Sequence, residues 1–237
     1  MCGRGFSDLL RLSAGQSRMN WNHRPKKILI TGKSGSGKSS LFLFLLLGSY
    51  FGKRTVKFIF DPDLEFSRKL KITPARTLDD LHLALKTGLV CFDPAEMFPG
   101  DFPAAFAFFS RWVLAVSQQL KGAKLLAVDE IQKFTRPGRG GVPPAFQEIL
   151  DIGRRHEIDL LIIAQRVNQV NDAIRGQLTD IITFQHTDRL PLAWLEEDGF
   201  NPETVKALQF PGGHIWRNVE TSTETTHEPN ENNKPGK

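Results

Sequence analysis

Residues 32–39 read Gly-Lys-Ser-Gly-Ser-Gly-Lys-Ser and match the pattern G-x-x-x-x-G-K-[ST] directly after the apolar run 28–30. In such a loop the glycines let backbone N–H groups surround phosphate oxygens, the lysine reaches the terminal phosphates and the last hydroxyl binds Mg²⁺. The segment therefore predicts a site for ATP and Mg²⁺. Its predicted binding residues are Gly32, Lys33, Ser34, Gly35, Ser36, Gly37, Lys38, Ser39 and Ser40.

A second apolar run, 124–128, ends in the acidic pair Asp129 and Glu130. A carboxylate at this position holds Mg²⁺ through water, so we predict that Asp129 and Ser39 form the metal site. Glu130 points to the other side of the strand end, where it is predicted to polarise the attacking water as a general base. A chain that only transfers phosphate to a substrate hydroxyl often does not use this second acid, so the pair favours hydrolysis.

A third apolar run, 159–164, ends in Gln165. A glutamine at a strand end beside Asp129 and Glu130 is predicted to hydrogen-bond the γ-phosphate or its water. No Asn-Lys-x-Asp element for reading guanine is present, which argues against a small GTPase.

Short apolar runs alternate with longer helical stretches along the chain, which predicts an α/β fold. The predicted strands are 27–31, 56–60, 88–92, 125–128, 159–164, 180–184 and 213–216, and the predicted helices are 38–50, 77–86, 102–121, 143–156, 168–177 and a hairpin around 192–208. Runs that are apolar at consecutive positions favour parallel strands buried on both faces. We predict a P-loop NTPase three-layer α/β sandwich with a mainly parallel central sheet, of the additional-strand catalytic-glutamate type.

Charge and cysteine content limit the remaining classes of protein. The chain has 237 residues and a formal net charge of +5. It contains only two cysteines, which excludes a disulfide framework or a zinc ribbon. Six basic residues against one acidic residue lie within the first 27. We divide the chain into a basic N-terminal arm (1–25), a P-loop ATPase domain (26–219) and a disordered polar tail (220–237).

The most apolar stretches are 41–47 and 102–116, and both are shorter than the roughly 20 residues of a membrane-spanning helix. We therefore predict that no segment spans a membrane. No secretory signal is visible near the N-terminus, so we expect a cytoplasmic protein.

The motifs together resemble the FtsK–HerA superfamily of DNA-pumping ATPases. The resemblance lies in the P-loop, the Asp129–Glu130 strand, the strand ending Ala164-Gln165-Arg166, the basic segment 153–156 before it, and the Asp-Pro element at 61–62. It covers roughly residues 26–217. The small size is similar to that of the genome-packaging ATPases of membrane-containing, tailless viruses and phages.

This resemblance implies a homo-hexameric ring that moves double-stranded DNA in the host cytoplasm or in association with the virion, with a capsid vertex or a membrane-associated protein as a further partner. It also implies an arginine that completes a neighbouring subunit's site. Arg154 and Arg155 are the first candidates, and Arg166 and Arg175 are reserves. In the segment 132–144, which has no acidic residue, Lys133, Arg136 and Arg139 are predicted to contact DNA phosphates without reading bases.

Three alternatives remain open at this point. The first is a phage assembly or export ATPase of the Zot type, which shares the same core. The second is a small-molecule or nucleoside kinase, against which Glu130 and Gln165 argue. The third is a nucleotide-binding scaffold that does not hydrolyse, which the intact Lys38, Ser39 and Asp129 disfavour.

Overall fold

The computed structural model describes residues 24–135 and 141–229, which are built around one eight-stranded sheet. The strands are β1 (Lys27–Thr31), β2 (Val56–Phe60), β3 (Leu89–Phe92), β4 (Lys124–Val128), β5 (Ile158–Ala164), β6 (Asp180–Phe184), β7 (His214–Asn218) and β8 (Glu224–His227). Their order across the sheet is β3-β2-β4-β5-β1-β6-β7-β8. The first six pair in parallel, whereas β7 and β8 are antiparallel. The predicted α/β fold with a mainly parallel sheet is confirmed.

Continuous apolar sequence explains the central strands. All five residues of β4 and all seven of β5 are buried, as expected for strands covered by helices on both faces. Successive side chains point to opposite faces, so Leu29 of β1 contacts one hydrophobic core while Ile28 and Ile30 contact the other. The sheet therefore separates two cores.

Helices cover both faces of the sheet. They are α1 (Lys38–Leu47), α2 (Glu65–Leu70), α3 (Leu78–Leu85), α4 (Phe102–Ser117), α5 (Pro144–Ile152), α6 (Asp172–Arg175), α7 (Arg189–Glu197) and α8 (Pro202–Ala207), with 3₁₀ turns at Ile131–Lys133, Gly153–His156 and Val167–Gln169. On one face α1 contributes Phe42 and Leu45 to the core, and on the other α4 contributes Phe106 and Phe109. This arrangement is the predicted three-layer sandwich.

The strand order determines which loops meet. β5 lies between β1 and β4, with Thr31 opposite Ala164 and Val128 opposite Ile162. The segments that follow these three strands contain the P-loop, Asp129 and Gln165, so all of them leave the sheet at the same edge. β5 is the strand between the P-loop strand and the acidic strand, which agrees with the predicted additional-strand type.

Several predicted helices have different bounds. Those predicted at 38–50, 102–121 and 143–156 end at Leu47, Ser117 and Ile152. The helix predicted at 168–177 is wrong: a 3₁₀ turn is followed by extended backbone at Val170 and Asn171, and the one-turn helix α6 begins only at Asp172. The Asn171 side chain accepts a hydrogen bond from the Ala173 N–H, which caps α6 and interrupts a longer helix.

The predicted disorder of 220–237 is wrong for residues 224–227, which form β8 against β7. All four residues of β8 are exposed, so backbone pairing with β7 rather than apolar burial forms this edge strand. Residues 1–23, which contain most of the predicted basic arm, and residues 230–237 lie outside the described residues.

Among the helices of residues 24–135 and 141–229, none combines the length and apolar character needed to cross a bilayer. The most apolar long helix, α4, packs its phenylalanines into the core instead.

Candidate functional site

The P-loop adopts a conformation that depends on glycine at two of its positions. Gly32 has φ 154°, and a Cβ there would lie 2.6 Å from the Cβ of Phe184. Gly37 has φ 106° and immediately precedes α1. The loop therefore approaches β6 closely and then turns into the helix, whose positive N-terminal end faces the region the loop surrounds.

Lys38 is held by the loop itself. Its Nζ donates to the carbonyl oxygens of Gly32 (2.8 Å) and Lys33 (2.7 Å), and the residue is only 7% exposed. Burial lowers the pKa of Lys38, while the charges of Asp129 and Glu130 act in the opposite direction. The ammonium group is thus kept at the loop and close to two carboxylates.

Glu130 is fixed from two sides. Gln165 donates from its Nε2 to one carboxylate oxygen, and the ammonium of Lys133 pairs with the other. The backbone of Glu130 is in the left-handed region, at φ 47°, which a non-glycine residue adopts at a cost. Because of this turn, the side chains of Glu130 and Asp129 point in different directions. Asp129 is buried, at 8% exposed.

A cavity of about 350 Å³ opens at this edge of the sheet and is called here the P-loop cavity. Its lining residues come from the P-loop, from the segment after β2 and from the ends of β4 and β5: Ser34, Gly35, Gly37, Lys38, Ser39, Ser40, Asp63, Glu65, Lys69, Asp129, Glu130, Ile163 and Gln165. Most predicted site residues therefore meet in one place.

Glu65 is a residue of this cavity that the sequence analysis did not identify. The Ser39 side chain hydrogen-bonds its carboxylate, and Lys69 donates to it at 2.5 Å. Burial acts to raise the pKa of Glu65, but these hydrogen bonds and the lysine charges leave it below its usual value. The only signal in the sequence was the Asp-Pro-Asp element just before it.

A tight turn aims Glu65 into the cavity. Leu64 has φ 56°, and the buried carboxylate of Asp61 accepts hydrogen bonds from the N–H groups of Phe66 (3.1 Å) and Ser67 (2.7 Å). These bonds fix the start of α2 at the end of β2, so its first residue faces Ser39 of α1.

The residues present fit Mg²⁺. Burial, together with the nearby charges of Glu65 and Glu130, raises the pKa of Asp129 to about 7, so a cation beside it would favour its ionised form. Ser39 supplies a second oxygen. Mg²⁺ in nucleotide sites is held by one or two protein oxygens together with phosphate and water oxygens, which is the number that Asp129 and Ser39 offer. When bound, Mg²⁺ neutralises charge on the phosphate oxygens.

The candidate arginines lie in different places. Arg154 and Arg155 are exposed on the turn before β5, at the opposite edge of the sheet from Gln165. A seven-residue strand spans about 23 Å, so the structure does not bring these two arginines to the P-loop cavity of their own chain. Arg166 is exposed beside Gln165.

Arg175, the other reserve candidate, makes several contacts within its own chain. It pairs with Glu197 (2.7 Å) and Asp198 (3.1 Å), and its guanidinium lies over the ring of Trp194. These contacts tie α6 to α7, which makes Arg175 a structural residue.

Of the residues predicted to contact DNA, only Lys133 is described. Its Nζ lies 2.8 Å from the carboxylate of Asp63 and also pairs with Glu130, so it connects the cavity to the segment that follows. Arg136 and Arg139 lie outside the described residues.

Neither a protein-family model nor a curated protein matches the chain. Solved structures do. The genome packaging NTPase B204 from Sulfolobus turreted icosahedral virus 2, in complex with AMP, has a TM-score of 0.68 at 23% identity, with 87% of this chain and 98% of that chain covered. The DNA-packaging ATPase B204 from Sulfolobus Turreted Icosahedral Virus gives 0.67 at 24%, covering 87% and 99%.

A third structure is the cytoplasmic domain of the Thermomonospora curvata Type VII Secretion ATPase EccC, with a TM-score of 0.55 at 14% identity, covering 86% of this chain and 25% of that chain. At these identities the similarity shows the fold, which is that of the P-loop NTPases.

Glu130→Gln keeps an amide able to contact Gln165 but removes the carboxylate that the sequence predicts to be the general base. We expect nucleotide affinity close to that of the wild type and hydrolysis slower by about 10²–10⁴-fold. Phosphate release and equilibrium nucleotide binding, measured on the same preparation, test this. Glu148→Gln, an exposed carboxylate on α5 outside the cavity, is the control. Normal turnover by Glu130→Gln would show that the base is another group.

Glu65→Ala removes the carboxylate that the Ser39 hydroxyl contacts. We expect the Mg²⁺ concentration for half-maximal hydrolysis to rise about tenfold or more, as for other residues that orient metal ligands. Glu65→Gln, which can still accept from Ser39, should have a smaller effect. Glu203→Ala, in an exposed Glu–Lys pair on α8, is the matched control. If the Mg²⁺ dependence of Glu65→Ala is unchanged, Glu65 does not help to position the metal ligands.

Proposed function

We propose that the chain is an ATPase that uses hydrolysis to translocate double-stranded DNA, as the motor that packages a viral genome. The observation that carries the hydrolytic part of the proposal is the contact of Gln165 with Glu130, at the end of the strand between the P-loop strand and the Asp129 strand. The contact brings an amide and a carboxylate together in the wall of the P-loop cavity, where we propose that the γ-phosphate and its attacking water bind.

The side chains of the cavity have separate roles in this proposal. Lys38 offsets charge on the terminal phosphates, and Ser39 and Asp129 hold the metal ion. Glu130 takes the proton of the attacking water, which requires that its ion pair with Lys133 loosen. Gln165 keeps the Glu130 carboxylate oriented and contacts the γ-phosphate. Each role follows from the charge and hydrogen-bonding capacity of the group.

The packaging function is supported by the two B204 structures, a genome packaging NTPase and a DNA-packaging ATPase, because nearly the whole of each aligns with this chain. We propose the same use here, with DNA phosphates contacted by Lys133, Arg136 and Arg139. We also propose that the protein acts in the host cytoplasm or in association with the virion. Its further partner would be a capsid vertex or a membrane-associated protein.

A ring of identical subunits, which we take to be a hexamer, is part of the proposal because of where the arginines lie. Arg154 and Arg155 are exposed at the edge away from their own cavity. If either one acts on a nucleotide, that nucleotide is bound by another subunit.

The experiment for the function is steady-state ATP hydrolysis with and without long double-stranded DNA, with the oligomeric state measured in the same buffer. We expect stimulation that weakens as salt is raised, because phosphate contacts release counterions. Lys38→Ala, which should lose both basal and stimulated turnover, is the control for contaminating ATPase. Hydrolysis by a monomer that ignores DNA would contradict the proposal, and turnover only with a small hydroxyl acceptor would favour a kinase.

Mixing two inactive variants tests the arginine in trans. Arg155→Ala retains Glu130, and Glu130→Gln retains Arg155, so a mixed ring contains some interfaces with both native groups. We expect an equal mixture to recover about a quarter of wild-type activity if subunits assemble at random in a closed ring. Arg111→Ala, exposed on α4, should remain active alone. If Arg155→Ala is inactive alone and the mixture shows no recovery, or if Arg155→Ala is fully active alone, Arg155 does not act in trans.

A further inference from the structure

The P-loop is flanked by residues 208–213 on the side away from Glu130. The N–H of Gly212 donates to the carbonyl oxygen of Ser36 at 3.0 Å. The ring of Phe210 approaches Gly35, because a Cβ built on that glycine would lie 3.6 Å from the ring's Cζ atom. This segment therefore forms a wall of the P-loop, although it lies far from the loop in sequence.

The wall is fixed to the sheet as well as to the P-loop. Gln185, just after β6, donates from its side chain to the carbonyl oxygens of Lys206 (2.8 Å) and Leu208 (3.0 Å). The carbonyl of Gln185 in turn accepts from the N–H of Lys33. These bonds hold the segment before Phe210 at the end of β6, next to the P-loop.

Phe210 is exposed despite this support. It is 48% exposed, and within residues 24–135 and 141–229 it and Phe44 are the only exposed phenylalanines. Phe44 lies on α1, whereas Phe210 approaches Gly35 of the P-loop. Phe210 thus presents a free aromatic surface at the rim of a phosphate-binding loop.

The direction of a bound nucleotide follows from the strand order. Glu130 and Gln165 follow β4 and β5, on one side of β1, whereas Phe210 precedes β7 beyond β6 on the other side. A nucleotide whose γ-phosphate faces Glu130 has its phosphates over the P-loop and its nucleoside directed to the opposite side. That side is where Phe210 lies.

We propose that Phe210 stacks on the base of the bound nucleotide and so provides most of the site's preference for a nucleoside triphosphate over a bare polyphosphate. This inference rests on the proposed ATP site. Every base has a π-face, and purines offer a larger one, so the platform favours purine nucleotides without reading their edges.

The test compares ATP with inorganic tripolyphosphate by calorimetric titration in the presence of Mg²⁺. We expect Phe210→Ala to weaken ATP binding about tenfold while tripolyphosphate binding stays unchanged. Phe210→Trp, which keeps an aromatic ring, should bind ATP with an affinity close to that of the wild type. Phe44→Ala, the other exposed phenylalanine, should bind both ligands like the wild type.

Each result has a distinct meaning. If Phe210→Ala binds ATP as tightly as the wild type, there is no stacking platform at this position. If it loses ATP and tripolyphosphate affinity equally, Phe210 only supports the P-loop, and the inference is also overturned. If the wild type binds no ATP, the proposed function itself fails, which a titration of the wild type alone reveals.

Discussion

The parallel pairing of β5 with β1 on one side and β4 on the other is the constraint on which the site depends. Neighbouring strands lie about 4.8 Å apart, so the P-loop strand and the acidic strand are separated by about twice that distance. The registers Thr31 to Ala164 and Val128 to Ile162 then fix the heights at which the three strands end. The backbone hydrogen bonds of β5 to β1 and β4 set this spacing, and buried residues cover β5 on both faces. The P-loop cavity opens beyond the end of β5.

Charge is the second physical condition of the site. The cavity is lined by four carboxylates, those of Asp63, Glu65, Asp129 and Glu130, and by the ammonium groups of Lys38 and Lys69. Burial of Asp129 among other acids raises its pKa to about 7, which means that its ionised form is costly there. A polyphosphate adds more negative charge. The buried Lys38 and the proposed Mg²⁺ would offset this negative charge.

The parts of the site that could be predicted from sequence are those in which local order fixes geometry. The P-loop is one contiguous segment, and Asp129 and Gln165 each end an apolar run, so parallel pairing was enough to bring them together. Glu65 was not predicted, because its direction depends on the left-handed backbone of Leu64 and on hydrogen bonds to the buried Asp61.

Other differences have the same origin in tertiary contacts. The ion pair of Lys133 with Asp63 joins residues 70 positions apart, so a lysine predicted for DNA contact also borders the cavity. The exposed strand β8 has no apolar residue. It is held by backbone pairing with β7 and by the side-chain contacts of Arg217 with Glu224 and of His214 with His227, so it has no hydrophobic pattern to detect. The trans role of Arg154 or Arg155 stays a prediction, since it concerns an assembly rather than one chain.

Translocation itself can be observed as displacement of a triplex-forming oligonucleotide from double-stranded DNA by the assembled protein in the presence of ATP. A motor powered by this cavity must travel along the duplex before it reaches the triplex. We expect displacement that requires ATP hydrolysis, with a lag that lengthens as the triplex is placed farther from the DNA end. Hydrolysis of ATP without displacement, or displacement with no dependence on distance, would contradict it.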